Sequence, residues 1–467
     1  MSLQFITGGS GAGKSEYLSR LVCEESVRRP HDNFIVVVPE QYTMETQKKL
    51  VHMHSRKGIL NIDVVSFERL AYKVFEELGG GNRPVLDDTG KNLIVRRVLE
   101  KEKKKLDYFG SSIEKTGFVS ELKSVISELL QYGITPQQLG EIGENVKEKQ
   151  QLSAKLKDIR LVYKEFMAFL STNYITSEEI LDVLCGLVEK SKLIAGSEII
   201  FDGFTGFTPI QYKLMRLLLV YSKGIKISVT IDKKERPTGH EGWNNLFFMS
   251  KEMMNRLIAI CEEEGINVDD TVCVDRDINY RYEGAKDLAY LERNLFRYKG
   301  GVYTGTPENI RIYEGSNPKE ELQYIVSEIL QLTRKESFRY RDIAVVTADL
   351  ETYGKVAANM MKQNDIPAFL DYKRSVASNP YVEMLCSALE IVEKGYPYDT
   401  MFRYLRTGLT GISRHDIDML ENYCLAVGIR GSRAWHEPWK KKMKRSTYQP
   451  ELETLNALRE QIMAPFL

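Results

Sequence analysis

Eight residues, Gly8-Gly9-Ser10-Gly11-Ala12-Gly13-Lys14-Ser15, fit the spacing G-x-x-x-x-G-K-[ST]. They follow an apolar segment, Leu3 to Thr7, that reads as a first β-strand. They precede Ser15 to Val27, where Tyr17, Leu18, Leu21 and Val22 recur at helical spacing. Strand, glycine-rich turn and helix in this order constrain the chain to a layered α/β fold. The same residues carry chemistry. Glycines let the backbone wrap a phosphate and aim its N–H groups inward, and a helix N-terminus favours negative charge. In such a loop the lysine reaches the β- and γ-phosphates and the hydroxyl ligates Mg²⁺. The expected ligand is a nucleoside triphosphate, ATP with Mg²⁺, on Gly8, Gly9, Ser10, Gly11, Ala12, Gly13, Lys14 and Ser15. The competing reading is a glycine-rich turn that happens to precede a lysine; the strand before and the helix after favour the phosphate loop.

The α/β rhythm is interrupted and resumes. Phe34 to Val38 is a continuous apolar run ending at Pro39, as in a parallel strand buried on both faces, and Ile62 to Val65 is a shorter one. Residues 91–195 are rich in Lys, Glu, Leu and Gln, with amphipathic helices expected at Val119–Tyr132 and Leu152–Leu170. Strand pattern returns at Glu198–Phe201 and Ile225–Ile231. The expected fold is therefore α/β: a P-loop parallel sheet (1–90 and 196–305) interrupted by a helical insertion (91–195). A second, smaller α/β unit is expected from 306 to 377, with strands at Ile310–Tyr313, Ile343–Thr347 and Ile366–Leu370 and a helix at Lys319–Leu332. From 378 to 467 the pattern is helical again.

The chain has 467 residues, which predicts about two to four structural units. Lys plus Arg and Asp plus Glu both total 65, so overall charge argues for neither a nucleic-acid nor a membrane partner. No apolar run approaches the roughly 20 residues of a membrane span, and the start lacks the pattern of a signal peptide; a cytoplasmic location is expected. Cys23, Cys185, Cys261, Cys273, Cys386 and Cys424 form no C-x-x-C pair and read as free thiols. His52 and His54 read as surface residues.

A phosphate loop calls for an acid at another strand end to hold Mg²⁺ through water. Asp202, after Glu198–Phe201, is the candidate; the plain alternative is a turn aspartate. Many ATP-driven motors place Glu directly after this Asp, and here the position is Gly203. Gln41 and Tyr42 follow the second strand, and Ser66, Phe67 and Arg69 follow the third. At the carboxyl edge of a parallel sheet such residues suit single-stranded nucleic acid. Helix capping by Ser66 explains the third-strand residues equally well. Lys440 to Arg445, beside Trp435 and Trp439, is the strongest basic patch, more simply a solvated face.

Taken in order, GGSGAGKSEYL, VVVPEQYTMETQ, VVSFERLAYKVF, FDGFTGFTPIQ and DIAVVTADLETYGKVAANMMKQNDIPAFLDYKRSVASNPYVEML resemble the N-terminal part of the AddB (RexB) family, subunits of AddAB helicase–nucleases. The likeness covers nearly the whole chain, least specifically at 91–195 and beyond 390. It implies a superfamily-1 helicase layout with a second RecA-like unit that is incomplete here. It also implies an AddA-type partner, double-strand DNA ends and single-stranded DNA as substrates, and recombinational repair as the role. The family's iron–sulfur cluster and nuclease residues lie toward its C-terminus and match no position here, so the chain is expected to be a fragment. Two other readings remain: a nucleotide-gated DNA-binding scaffold without motor activity, and a P-loop kinase for a small substrate.

Overall fold

The computed structural model describes every residue except 80–83, 116, 147–148, 177–178, 236–241, 298–300, 371–375, 444–450 and 467, and the side chains of 171–173. It divides into two compact units, Met1–Arg311 and Ile312–Leu467.

The first unit opens with β1 (Ser2–Gly8), α1 (Lys14–Arg28), β2 (Asn33–Val37), α2 (Thr43–Met53), β3 (Ile62–Val65) and α3 (Phe67–Leu78). Then come β4 (Val85–Leu86), four helices, α4 (Asp88–Glu102), α5 (Phe118–Gln131), α6 (Pro136–Asn145) and α7 (Gln150–Asn173), and β5 (Ile175–Thr176). The unit closes with α8 (Ile180–Cys185), α9 (Lys192–Ala195), β6 (Ser197–Phe201), α10 (Pro209–Tyr221), β7 (Gly224–Thr230), α11 (Phe248–Glu264), β8 (Asn267–Val268), β9 (Val272–Cys273) and α12 (Lys286–Asn294).

One parallel sheet in the order β3-β2-β6-β7-β1-β8, with β9 also on β1, holds strands from both sides of the four helices. Alternate residues feed two cores. Leu3, Phe5, Ile35, Val37, Ile199, Phe201, Ile225 and Ile227 point to one face, and Ile6, Phe34, Val36, Ile62 and Ile200 to the other. Both faces are covered, which is why β2 reads as an unbroken apolar run. Each such side chain contributes about 1.5–3 kcal/mol on burial. Local signals set the helix starts. Thr208 and Gln211 form a reciprocal capping box with Pro209 in the first turn of α10. Ser66 caps α3, and Gly79 ends it in the left-handed conformation.

Helices α4–α7 enclose a separate core around Val95, Leu99, Ile126, Val162 and Phe166. The chain enters and leaves this bundle through β4 and β5, which pair in parallel, Val85 opposite Ile175 and Leu86 opposite Thr176. Helix α8 packs back on α3 and α10 of the main core.

The second unit contains α13 (Pro318–Lys335), α14 (Leu350–Gln363), α15 (Pro380–Glu393), α16 (Tyr398–Leu405), α17 (Arg414–Val427), α18 (Gly431–His436) and α19 (Leu452–Met463). Leu322, Val326 and Ile329 of α13 pack on Ala357, Met360 and Met361 of α14. A second cluster gathers Phe402, Leu405, Tyr423, Trp435, Trp439 and Leu455. The strands expected at Ile310–Tyr313, Ile343–Thr347 and Ile366–Leu370 are not formed: among the described residues those segments carry no ladder. Ile312 and Val346 are 96% and 91% exposed. Apolar alternation reports surface suited to a pleated, half-buried setting; a strand exists only where a neighbour takes its backbone groups.

One further expectation is corrected. His52 is exposed as expected, but His54 is not a surface residue: it lies just past the end of α2 at Met53 and is buried, its Nε2 3.2 Å from Ser26 Oγ. Trp435 and Trp439 belong to the second unit's core, while Lys440, Lys441 and Lys442 are exposed; Lys444 and Arg445 lie outside the described residues.

Candidate functional site

Because the sheet is parallel, the carboxyl ends of β1, β2, β3, β6, β7 and β9 open on one edge. The turn after β1 leads straight into α1. Gly11 and Gly13 have φ of 72° and 95°, the left-handed region open to glycine at little cost. Space enforces the same choice at Gly11, where a Cβ would stand 2.5 Å from Arg281 Cβ. Lys14 folds back over the turn, its Nζ donating to the carbonyls of Gly8 at 2.8 Å and Gly9 at 2.9 Å. Burial holds its ammonium below the ordinary value, against the pull of Asp202 and Asp275.

Lys14, Ser15, Asp202, Ser228 and Arg281 line one cavity of about 390 Å³. Asp202 sits directly after β6, its N–H on the Val37 carbonyl at 3.1 Å. Ser228 of β7 donates to its Oδ1 at 2.5 Å, and the Gly203 N–H donates to the Ser228 hydroxyl at 3.3 Å. An anion cradle, a cation, a hydroxyl and an oriented carboxylate thus meet in one place. The donor set suits a triphosphate with a hard, oxygen-loving cation. Gly203 has φ 85°, and a Cβ there would lie 3.4 Å from Pro39 Cδ. The backbone itself therefore disfavours a glutamate at the position after Asp202.

The other residues singled out from the sequence lie along the same edge. Gln41 and Tyr42 occupy the single turn Glu40–Tyr42, and Tyr42 is 49% exposed. Arg69 reaches across to Glu40, its Nη2 2.8 Å from Oε1. Ser66 is buried and accepts the Arg69 N–H at 3.3 Å as the cap of α3. Phe67 is 8% exposed, its ring 5.7, 5.4 and 6.0 Å from those of Phe201, Phe204 and Phe207. Phe67 therefore props the half-buried rings of Phe204 and Phe207 and is not itself a free stacking face.

Sequence reasoning missed the segment after β9. The Asp275 carboxylate accepts the Gly9 N–H at 2.8 Å, the Arg281 N–H donates to the Gly11 carbonyl at 3.3 Å, and Tyr280 lies against Gly13. A two-residue strand at Val272–Cys273 leaves no periodic signal, so nothing marked Asp275 as following a strand end. Cys23, Cys185, Cys261 and Cys424 are buried, Cys273 and Cys386 exposed; burial pushes Cys185 and Cys261 up to about 11. Among the described residues, no three His, Cys, Asp or Glu side chains group as metal ligands, and no helix is long and apolar enough to cross a membrane.

A family model described as "ADDB, N-terminal" matches residues 5–292. The chain is 42% identical to an ATP-dependent helicase/deoxyribonuclease subunit of Lachnoclostridium phytofermentans, over all of this chain and 41% of that protein. Proteins of the same name from Caldanaerobacter subterraneus and Clostridioides difficile are 36% and 35% identical, over all of this chain and 40% and 41% of theirs. The chain thus spans about two fifths of the length of the curated relatives it matches.

Proposed function

The chain belongs to the AddB family through its N-terminal part, and from that premise we propose that it is the ATP-binding, helicase-like portion of a subunit in a helicase–deoxyribonuclease. In this reading it acts with an AddA-type partner on double-strand DNA ends for recombinational repair. Its layout is that of a superfamily-1 helicase. A RecA-like domain is made of 1–90 and 196–305, with 91–195 inserted. A second RecA-like domain begins at 306–377, and 378–467 starts a second helical insertion. The nuclease residues and iron–sulfur cluster belong to the remainder of the family's length.

The observation that carries the reading is the convergence of Lys14, Ser15 and Asp202 on one cavity. The loop from Gly8 to Gly13 offers backbone N–H groups to the phosphates, and Lys14 supplies the cation. Ser15 and Asp202 would hold Mg²⁺, which would supply positive charge to neutralise the phosphates. Single-stranded DNA lies along the strand-end edge, contacted by Gln41, Tyr42 and Arg69, with Ser66 and Phe67 shaping the surface beneath. Titration calorimetry with ATP and Mg²⁺ tests this: the chain binds and Lys14→Ala does not. Absence of binding by the unsubstituted chain sinks the proposal.

The left-handed backbone at Gly203, which disfavours a glutamate there, favours a second reading, a nucleotide-gated DNA-binding scaffold that turns ATP over very slowly. DNA-stimulated hydrolysis separates the two.

A further inference from the structure

We infer that residues 275–287 form a strap that ties the phosphate loop to Glu308 and Asn309, on the chain leaving the first unit, with Asp287 as its latch. The inference rests on the nucleotide reading above.

At one end the strap grips the loop. Asp275 accepts the Gly9 N–H on Oδ1 at 2.8 Å and the Lys233 N–H on Oδ2 at 2.9 Å. Asn279 donates to the Ser10 carbonyl at 3.4 Å and accepts the Arg276 N–H at 3.1 Å. Arg281 bonds twice, through its N–H to the Gly11 carbonyl and through Nη1 to Ser10 Oγ, each at 3.3 Å. Three consecutive loop residues, Gly9 to Gly11, are thus held by the strap. Lys14 also pulls on Gly8 and Gly9, and a phosphate would release that pull.

The other end is anchored as firmly. Asp287, in the first turn of α12, is 4% exposed. It accepts the N–H groups of Glu308 at 2.9 Å and Asn309 at 2.7 Å, the Asn309 side-chain amide at 2.9 Å and the Leu288 N–H at 2.9 Å. A carboxylate has about four acceptor sites, so this one is fully used. Glu308 and Asn309 are themselves exposed; the buried carboxylate is what holds their backbone. The short stretch from Arg281 to Asp287 is braced by the Ala285 N–H on the Tyr282 carbonyl and the Ala289 N–H on the Ala285 carbonyl. Short covalent steps and hydrogen bonds therefore connect Gly11 to Asn309, the kind of network that carries coupling. A change in the loop on nucleotide binding moves the strap, and Asp287 passes it to residues 308–311.

The test is hydrogen exchange across 301–311 in the 467-residue chain, with and without ATPγS and Mg²⁺, binding being followed separately by calorimetry. The expected result is exchange at 301–311 that changes when ATPγS binds, a response lost in Asp287→Ala while ATPγS still binds. Asn309→Pro, which removes two of the donors to Asp287, the backbone N–H and the side-chain amide, from an exposed position and leaves Asp287 in place, loses the response too and stands in if Asp287→Ala fails to fold. A chain that binds ATPγS with no change at 301–311, or variants that keep the response, overturns the strap. No binding at all overturns the nucleotide reading first, and calorimetry identifies that case.

Discussion

Ser228, on β7, donates a 2.5 Å hydrogen bond to Asp202 at the end of the neighbouring strand. The acid of the cavity is therefore aimed by the next strand of the sheet, not by its own turn. Hydrogen bonds to a charged group contribute about 1.5–3 kcal/mol. Ser228→Ala should weaken ATP binding by roughly tenfold or more when Mg²⁺ is present, and much less in its absence. Paired titrations with and without Mg²⁺ decide it; an equal loss in both would assign Ser228 to the fold alone.

Gly203→Glu should not create a faster ATPase. The backbone there has φ 85°, and a non-glycine residue forced into such a region costs about 1–3 kcal/mol. A lowered melting temperature with no gain in phosphate release is the expected pair of readings. Brisk hydrolysis in this variant would show that the turn accommodates a water-positioning acid.

Lys14 gives the site a pH dependence with a definite sign. Burial lowers its pKa below the ordinary 10.5, opposed by Asp202 and Asp275. The ammonium thus loses its proton at a lower pH than a free lysine does, and with it the attraction for phosphate. ATP affinity should fall as pH rises through that lowered value, before 10.5 is reached. Calorimetry between about pH 7 and pH 10 checks this against the free-lysine behaviour; affinity that stays flat across that range contradicts the burial effect.

Along the strand-end edge, Tyr42→Ala and Arg69→Ala should weaken oligo-dT binding and leave the melting temperature nearly unchanged, since both side chains are largely exposed. Stacking of one base on an aromatic ring contributes about 1–3 kcal/mol. Phe67→Ala should act through stability instead, costing about 3–5 kcal/mol as a buried ring lost from the cluster. Affinity measured against salt should follow a log–log slope of about −0.7 per phosphate neutralised. Retention of full oligo-dT binding by Tyr42→Ala and Arg69→Ala together rules out this edge.

The sheet was legible because its signals are local. Leu3 to Thr7, Phe34 to Val38 and Ile225 to Ile231 each show a buried-strand pattern, and Gly11 and Gly13 stand where the turn demands positive φ. The helices at Phe118–Gln131 and Gln150–Asn173 followed from their apolar periodicity. What the sequence hid depends on distant partners. Ser228 is an ordinary strand serine until β6 places Asp202 beside it. Asp275 follows a strand of two residues, too short to read, and its target Gly9 is 266 positions away. Phe67 follows a strand end as an exposed platform would, yet Phe201, Phe204 and Phe207 enclose it. Ile343–Thr347 shows the converse, a strand pattern with no neighbour among the described residues to complete it.

The paired strands β4 and β5 alter how far apart the sheet's own strands are along the chain. Val85 and Ile175 lie side by side, so once α4–α7 have folded, the long loop between β3 and β6 is short-circuited at its base. Loop-closure entropy rises with the logarithm of loop length, and the pairing of β2 with β6 then closes a much shorter effective loop. The bundle behaves as a splint set before the break is closed, and weakening it should delay the sheet even though the two share no core. Val162→Ala, at a fully buried bundle position, should slow refolding of the first unit followed by stopped-flow fluorescence, and an unchanged rate would show that the sheet assembles without the bundle's help.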